Sequence, residues 1–416
     1  MADAGERRRR VFVTGIGLVS PHGGDPGNAF DRLYRGESAI RKVRSGTAEL
    51  GGDALLAQAE FDPSDVIPKL QLVVMDRVSQ MAVIAAHRAL IASGLLADDT
   101  GPADMGIYMG CGLGGSQALQ DSYRVYFERR SRKPKPATVP LIMANAPAGH
   151  ISMRYKLKGP SHTYSIACAS SAVATGEAFR AIRDGYLERA LAGGTEAMLN
   201  DGSVAAWEVL GVLAKEHPDG PGASSRPFAK DRSGFVLGEG AAVLTLEAES
   251  SMRARGAVPI AEIVGYGASS DAHNLTQPAA DGQVRAMRIA LADADIAPEA
   301  IGYVNAHATG TTAGDRIEID AIKQVFGDHA RALVVSATKS MHGHLVGAAG
   351  ALEFAITALA LRKGRVPPTA NLTEPDPECD LDCVPCVGRE VAGLEVALSN
   401  SFGFGGSNAV LVARRA

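Results

Sequence analysis

One cysteine and two histidines are the residues of this sequence best suited to chemistry. Cys168 sits on a seam in "TYSIACASSAVATGEAFRAIRDG" (163–185), where a short apolar run gives way to a small-residue stretch of helical pattern. Taken alone, a buried cysteine is as readily a small apolar filler. At the first turn of a helix, however, unpaired N–H groups and the helix dipole favour negative charge, which lowers a thiol's pKa and supplies thiolate. The alanines and serines that follow leave room for a substrate, and a nucleophile on a strand-to-helix turn suits acyl transfer. Of the ten histidines, His22, His87 and His217 lie in segments that suggest nothing. His307 opens "HATGTT" behind a strand pattern, and His344 lies in "TKSMHGHLVGAAG", again at a strand-to-helix turn. Either could singly be a satisfied structural histidine. Together they fall at corresponding strand ends, where a ligand crevice is expected.

The elements that must position these residues are written twice. Setting Tyr108 against Tyr303 aligns a helical pattern, a strand and a loop in each half: "MAVIAAHRALIASGLL", "MGIYMG" and "CGLGGS" against "AMRIALADADI" and "IGYVNAHATGTT". Residues 168–185 also overlay 347–364 with five of eighteen positions identical, each segment ending on a helix-stopping glycine. The order of these matches implies a duplicated βαβ-type unit in an α/β fold. We divide the chain into residues 1–255, carrying the cysteine, and 256–416, carrying both histidines. Runs such as "AAVLTLEAE" and "NAVLVARR" barely alternate, as expected of strands buried on both faces. The polar, Pro- and Gly-containing stretches 120–140 and 201–232 read as surface layers.

Composition narrows the class. The 416 residues, 46% hydrophobic, suffice for a large α/β enzyme, and a formal charge of −4 gives no case for bulk nucleic-acid binding. The basic run Arg7–Arg10 before "VFVTGIGLV" imitates a secretory leader, but glycines interrupt the apolar stretch and no small-residue cleavage site follows. No run is long enough to span a bilayer. Five cysteines in a long chain do not make a disulfide framework, so reduced thiols and a cytoplasmic location are expected. "CDLDCVPC" spaces Cys379, Cys383 and Cys386 as an iron–sulfur cluster could use, but no run of repeated βα units surrounds it, and surface or loop thiols are the simpler reading. "GIGLVS" and "CGLGGS" lack the third glycine or the lysine of a phosphate loop, so their glycines are expected to permit tight turns.

With these residues in place, the chain resembles the β-ketoacyl-acyl-carrier-protein synthases, elongating condensing enzymes of the thiolase-like family. The resemblance rests on "GPSHTYSIACASS", "EAM", "SSRPFAKDRSGFVLGEGA", "VNAHATGTTAGDRIE", "TKSMHGHLVGAAGALE", "PPTANLTEPDPECDLD" and "LSNSFGFGGSNAVLV", which run in order over nearly the whole chain. It implies a duplicated five-layer αβαβα fold, a dimer, and decarboxylative condensation of an acyl chain with a malonyl unit. It implies Cys168 as the acyl-accepting nucleophile and His307 and His344 as the paired histidines, with backbone N–H groups of Cys168 and Phe404 as oxyanion donors. Lys339 precedes the second histidine, and Glu318 matches the acidic residue associated with that lysine. Phe404 matches a gating aromatic, Thr309 and Thr311 the threonines that meet the extender or its pantetheine arm, and Leu113 a residue limiting the acyl pocket. Trp207 falls at the lip of the pantetheine channel. No metal or resident cofactor is implied, since phosphopantetheine arrives on the acyl carrier protein.

Three positions depart from the family pattern. Ala308 and Ser171 stand where glycines are usual, and Leu70, Val73 and Val74 stand where basic residues commonly meet an acidic carrier. Arg129, Arg130 and Lys133 in "YRVYFERRSRKPKP" are an alternative carrier dock, although a basic run is most often a solvated loop. The alternatives within the resemblance are fatty-acid elongation as a homodimer and specialised polyketide or polyene extension beside a chain-length-factor-like partner. A non-catalytic partner subunit is disfavoured by the presence of Cys168, His307 and His344 together. A degradative thiolase is disfavoured because no second cysteine stands near "GFGG".

Overall fold

The computed structural model describes residues 8–45 and 52–416. Ten strands form one mixed sheet: β1 Val11–Val19, β2 Gly106–Gly110, β3 Ser161–Tyr164, β4 Arg189–Glu196, β5 Gly240–Ala248, β6 Ala261–Ser270, β7 Tyr303–Asn305, β8 Val334–Ser336, β9 Val396–Gly403 and β10 Ser407–Arg415. Their order is β3-β2-β4-β5-β1 followed by β6-β10-β9-β7-β8. Adding five to each number of the first half, read from β1 outward, reproduces the second half. Pairing directions repeat too: β2 runs parallel to β3 and β4, and β7 parallel to β8 and β9, while the other contacts are antiparallel. The halves join antiparallel through Val11–Val13 of β1 against Ala261–Ile263 of β6.

Eight longer helices complete the layers: α1 Arg77–Ser93, α2 Ser116–Phe127, α3 Ala146–Tyr155, α4 Ser170–Arg183, α5 Asp201–Leu210, α6 Ala280–Ala294, α7 Thr312–Phe326 and α8 Ala349–Lys363. Helices α1 and α3 cover one outer face and α6 and α7 the other. Between the two half-sheets lie α4 and α8, giving the five-layer αβαβα arrangement. Sandwiched on all sides, α8 is buried from Ala349 to Leu361, which explains an apolar pattern that runs around the helix instead of along one stripe. Strand β1 is likewise buried at every position, as a strand covered on both faces must be. Of the helices in or next to the stretches 120–140 and 201–232, α5 is largely exposed and α2 mostly half-buried; residues 224–229 are buried, so that part of the second stretch belongs to the interior and not to a surface layer.

The glycines of "GIGLVS" do not make a turn. Gly15 and Gly17 lie within β1, where a Cβ would come to 2.4 Å from the Ala89 carbonyl and 1.9 Å from the Ala85 carbonyl of α1. Gly265 and Gly267 repeat the device in β6, against the Ala290 and Ala286 carbonyls of α6. Two glycines two apart share one face of a strand, and here they let an outer helix ride directly on the sheet. Outside these layers, a small sheet of Arg41–Ser45, Gly52–Ala57 and Leu237–Gly238 brings the 236–238 segment beside His344. Among the described residues, no helix is long and apolar enough to cross a membrane.

Candidate active site

Two equivalent turns, one in each half, meet at a single crevice. Cys168 follows Ala167, whose φ of 45° puts a non-glycine residue in the left-handed region, and α4 begins two residues later. In the other half Val346, at φ 44°, precedes α8 in the same way. Backbone so strained persists only where its surroundings over-determine it. The surroundings are visible at His344, whose N–H donates to the Val236 carbonyl at 2.7 Å while its own carbonyl accepts from Gly238 at 2.9 Å. His307 stands just beyond β7, where Glu318 of α7 accepts from the His307 and Ala308 N–H groups at 2.9 and 2.7 Å and from Asn400 Nδ2 at 2.8 Å.

The side chains converge as a result. His344 Nε2 lies 2.9 Å from Cys168 Sγ, and the two imidazoles meet edge to face with ring centroids 5.4 Å apart. Phe235 packs edge-on against His344 at 5.2 Å, and Phe402 lies 6.0 Å from His307. Burial, reinforced by the positive charge of Lys339, holds both histidines well below the usual imidazole range, so both are neutral at neutral pH. Neither Nδ1 has a hydrogen-bond partner among the described residues; nothing pins the ring hydrogen there, and either tautomer is open. The sulfur and one nitrogen of each ring lie within 4.8 Å of one another, a spacing a soft metal ion could also bridge.

Two electrostatic expectations are corrected. Cys168 is not a ready thiolate: burial pushes its thiol up to about 12, against the opposing effects of Lys339 and the Phe404 N–H. Desolvation outweighs the stabilising helix mouth once the rest of the chain closes over the sulfur. The ion-pair partner of Lys339 is not Glu318 but Glu353 on α8, with both side chains almost wholly buried. Burial raises the Glu353 carboxyl to about 7 despite that pair. Its signal was legible as the lone carboxylate in "AGALEFAITALALRK".

A cavity of about 210 Å³ reaches Cys168, lined by Trp207, Phe235, His307, His344, Thr309, Thr311 and Phe404 among others. Trp207 and Phe404 face each other at 5.9 Å across it, and Thr309 Oγ1 lies 3.1 Å from Thr311 Oγ1. Arg232, unflagged in the sequence, supports that loop by donating to the Thr311 and Thr312 carbonyls at 3.2 and 2.7 Å. Leu113 does not reach this cavity. It is half exposed in a separate groove of about 440 Å³ with Tyr123, Phe127 and Ser203, because the chain after β2 runs outward toward α2. Arg129, Arg130 and Lys133 are exposed beyond α2, as are Leu70 (88%) and Val73 (70%). Of the three C-terminal cysteines, Cys379 and Cys383 are buried in loops rather than at the surface, and Cys386 is exposed. They form no metal-ligand group among the described residues. Ser171 uses the hydroxyl a glycine would lack, accepting from the Ala351 N–H at 2.9 Å to tie α4 to α8.

A protonated thiol facing two neutral imidazoles, where the halves of a doubled α/β sheet meet, defines a thiol acyltransferase of the thiolase-like fold. Residues 8–251 match the β-ketoacyl synthase N-terminal domain and residues 260–373 its C-terminal domain. The chain is 44% identical to nodulation protein E of Rhizobium sp. (strain N33), covering 98% of this chain and 99% of that one. It is 38% identical to 3-oxoacyl-[acyl-carrier-protein] synthase 2 of Synechocystis sp., covering 98% of each. Among solved structures, the ishigamide ketosynthase/chain length factor superposes with a TM-score of 0.90 at 34% identity over 98% of this chain and 100% of that one. A β-ketoacyl synthase from Burkholderia phymatum gives the same score and coverages at 36% identity. The chain therefore belongs to the β-ketoacyl synthase family, and it is an acyltransferase that forms carbon–carbon bonds.

Proposed function

We propose that Cys168 accepts an acyl chain from an acyl-carrier-protein thioester and that the site then condenses it with malonyl-carrier, giving β-ketoacyl-carrier and CO2. The observation that carries this reading is the 2.9 Å contact between Cys168 Sγ and His344 Nε2. As the sulfur attacks the thioester carbonyl, His344 takes the thiol proton and passes it to the departing pantetheine sulfur. The oxyanion forms beside the N–H groups of Cys168 and Phe404. In the second half, loss of CO2 leaves the electron pair of the broken bond as an enolate, to which His307 and His344 each donate an N–H, His344 now in the tautomer with its ring hydrogen on Nε2 instead of Nδ1. The enolate carbon attacks the acyl-Cys168 carbonyl; the tetrahedral intermediate collapses with the Cys168 sulfur leaving, and the sulfur takes up one proton from solvent, the proton that decarboxylation of a malonate consumes. Each step uses groups of this chain, with phosphopantetheine brought by the carrier and no resident cofactor needed. Intact-mass analysis of the protein with a panel of acyl-carrier thioesters, then malonyl-carrier, against Cys168→Ala, tests the reading. A Cys168→Ala protein that is still acylated overturns it.

A specialised ketosynthase subunit working beside a chain-length-factor-like partner is the second reading, favoured by the exposed Leu70 and Val73 and by structural similarity to a ketosynthase/chain length factor. Another solved relative, 29% identical with a TM-score of 0.90, is a type II polyketide ketosynthase in complex with its acyl carrier protein. By that analogy the exposed Arg129, Arg130 and Lys133 would meet the acidic carrier in the cytoplasm. Strand β3, at the edge of the sheet, would pair with a second subunit, identical or paralogous. Copurification of a paralogue lacking the cysteine decides for the second reading.

A further inference from the structure

Glu196 is a buried carboxylate that the reaction above does not use. It ends β4 with no solvent exposure, and no cation pairs with it among the described residues. Its oxygens are instead filled by backbone N–H groups from both halves. Oε2 accepts from Gly112 at 2.8 Å and from Gly347 at 3.1 Å, while Oε1 takes a longer contact of 3.4 Å from Leu113. Gly112 follows β2; Gly347 lies in the strained turn between His344 and α8. Both donors are glycines because nothing larger fits: a Cβ would come to 2.4 Å from Oε2 at Gly112, and at Gly347 to 2.5 Å from the Gly112 nitrogen and 2.6 Å from Oε2. A carboxylate accepting from three N–H groups of two chain segments is a built clamp, and breaking it would leave those donors unsatisfied.

We propose that Glu196 is a positioning residue: its carboxylate pins the Gly347 turn, and through it His344, to the nucleophile's half of the molecule, and its charge opposes the build-up of negative charge on Cys168 Sγ. Oε2 holds the two shorter bonds, so Oε1 is the oxygen that takes a proton, and the clamp survives while the charge changes. Burial raises the carboxyl to about 7 against its N–H donors, so the charge switches within the working range. It lies close to two thiols: Oε2 holds Gly347, whose neighbour Val346 packs in one buried cluster with Cys168, and holds Gly112, whose neighbour is Cys111; its charge contributes to pushing both thiols upward. Cys168 also faces Lys339 and Glu353.

The proposal rests on Cys168 and His344 forming the reacting pair, but its charge arm needs no carrier and no condensation, so the two readings fail separately. In His344→Ala protein, alkylation of Cys168 by iodoacetamide, located by peptide mass mapping to exclude the exposed Cys386, reads the thiolate alone. Adding Glu196→Gln should raise that rate at least about threefold on the alkaline side of about pH 7 and leave the acid side unchanged. Superimposed profiles would overturn the charge role, whatever Glu353 contributes to both. For the clamp, Glu196→Ala in the otherwise intact protein should lose at least about tenfold in kcat with little change in KM, and Glu196→Gln, which keeps an acceptor at the Oε2 position, should recover most of it. A folded Glu196→Ala protein with unchanged kcat overturns the clamp; if that variant does not fold, kcat in Glu196→Gln falling as far as in His344→Ala overturns it instead.

Discussion

Replacing His344 by alanine isolates what removes the proton from Cys168. The thiol is pushed up to about 12, so at about pH 7.5 free thiolate lies some 4.5 pH units uphill, or ~6 kcal/mol at 1.36 kcal/mol per unit. An imidazole at 2.9 Å removes that requirement by accepting the proton as the sulfur attacks, and such a base contributes about 10²–10⁴-fold. His344→Ala should therefore lose acyl transfer by about 10²–10⁴-fold at neutral pH. The sign of the pH dependence follows from the two shifts. Below the raised thiol pKa, the thiolate fraction grows tenfold per pH unit, so the variant should climb about a decade per unit between about pH 7.5 and 9.5. The wild-type rate should not climb there, because an imidazole held well below its ordinary range is already fully in its base form. Rapid-quench intact-mass counting of acyl-Cys168 at saturating acyl-carrier gives both profiles. A variant within about threefold of wild type, or a wild type that itself climbs a decade per unit, would refute general-base activation by His344.

His307→Ala should spare acyl transfer and lose about 10²–10³-fold in condensation, since its N–H is needed only when the enolate forms; CO2 release from malonyl-carrier separates the two steps. Lys339→Met leaves Glu353 buried and unpaired, a loss of about 3–5 kcal/mol in urea unfolding, of which the double change with Glu353→Gln should restore most. Ser171→Gly removes the Oγ acceptor of the Ala351 N–H and should cost about 1–3 kcal/mol in the same measurement. Charge reversal at Arg129 and Arg130 should raise KM for acyl-carrier in a salt-dependent way while leaving acylation by a small acyl thioester intact; unchanged carrier KM removes that surface from the docking reading.

The residues legible in the sequence are those whose role is local. Cys168 and His344 could be placed because each sits on a turn that its own neighbours specify, and the overlay of 168–185 on 347–364 put both turns at equivalent ends of α4 and α8. What the sequence did not show depends on chain brought from elsewhere. Cys168 is desolvated inside a cluster with Met198, Phe235, Leu237 and Val346, brought from other parts of the chain, so the thiol shift has the opposite sign to that expected at a helix mouth. Glu353, fourteen residues from Lys339, is the nearer partner only because α8 folds back between the sheets. Leu113 lines a separate groove because the path of the loop after β2 is set by Glu196, far along the chain, whose carboxylate accepts from the Gly112 and Leu113 N–H groups. The paired glycines of "GIG" and "GYG" carry their role in their two-residue spacing, which puts both on one strand face under an outer helix.

Duplication accounts for why the site needs both halves. A strand-to-helix turn with a non-glycine residue at positive φ is strained, and each copy has one: Ala167 before the nucleophile, Val346 after the histidine. Because α4 and α8 share the middle layer, both turns open on the same side of the sheets and bring a thiol and an imidazole within one hydrogen bond. Such a contact is useful only if two separately inherited turns hold register to a few tenths of an ångström. The chain supplies that register with side chains that cross the divide: Ser171 to Ala351, and Glu196, which also holds Gly112 of its own half, to Gly347. The half that carries the nucleophile thus also carries the acceptors that hold its partner in place. Loosening either crossing should therefore be felt first in the 2.9 Å contact on which proton transfer depends.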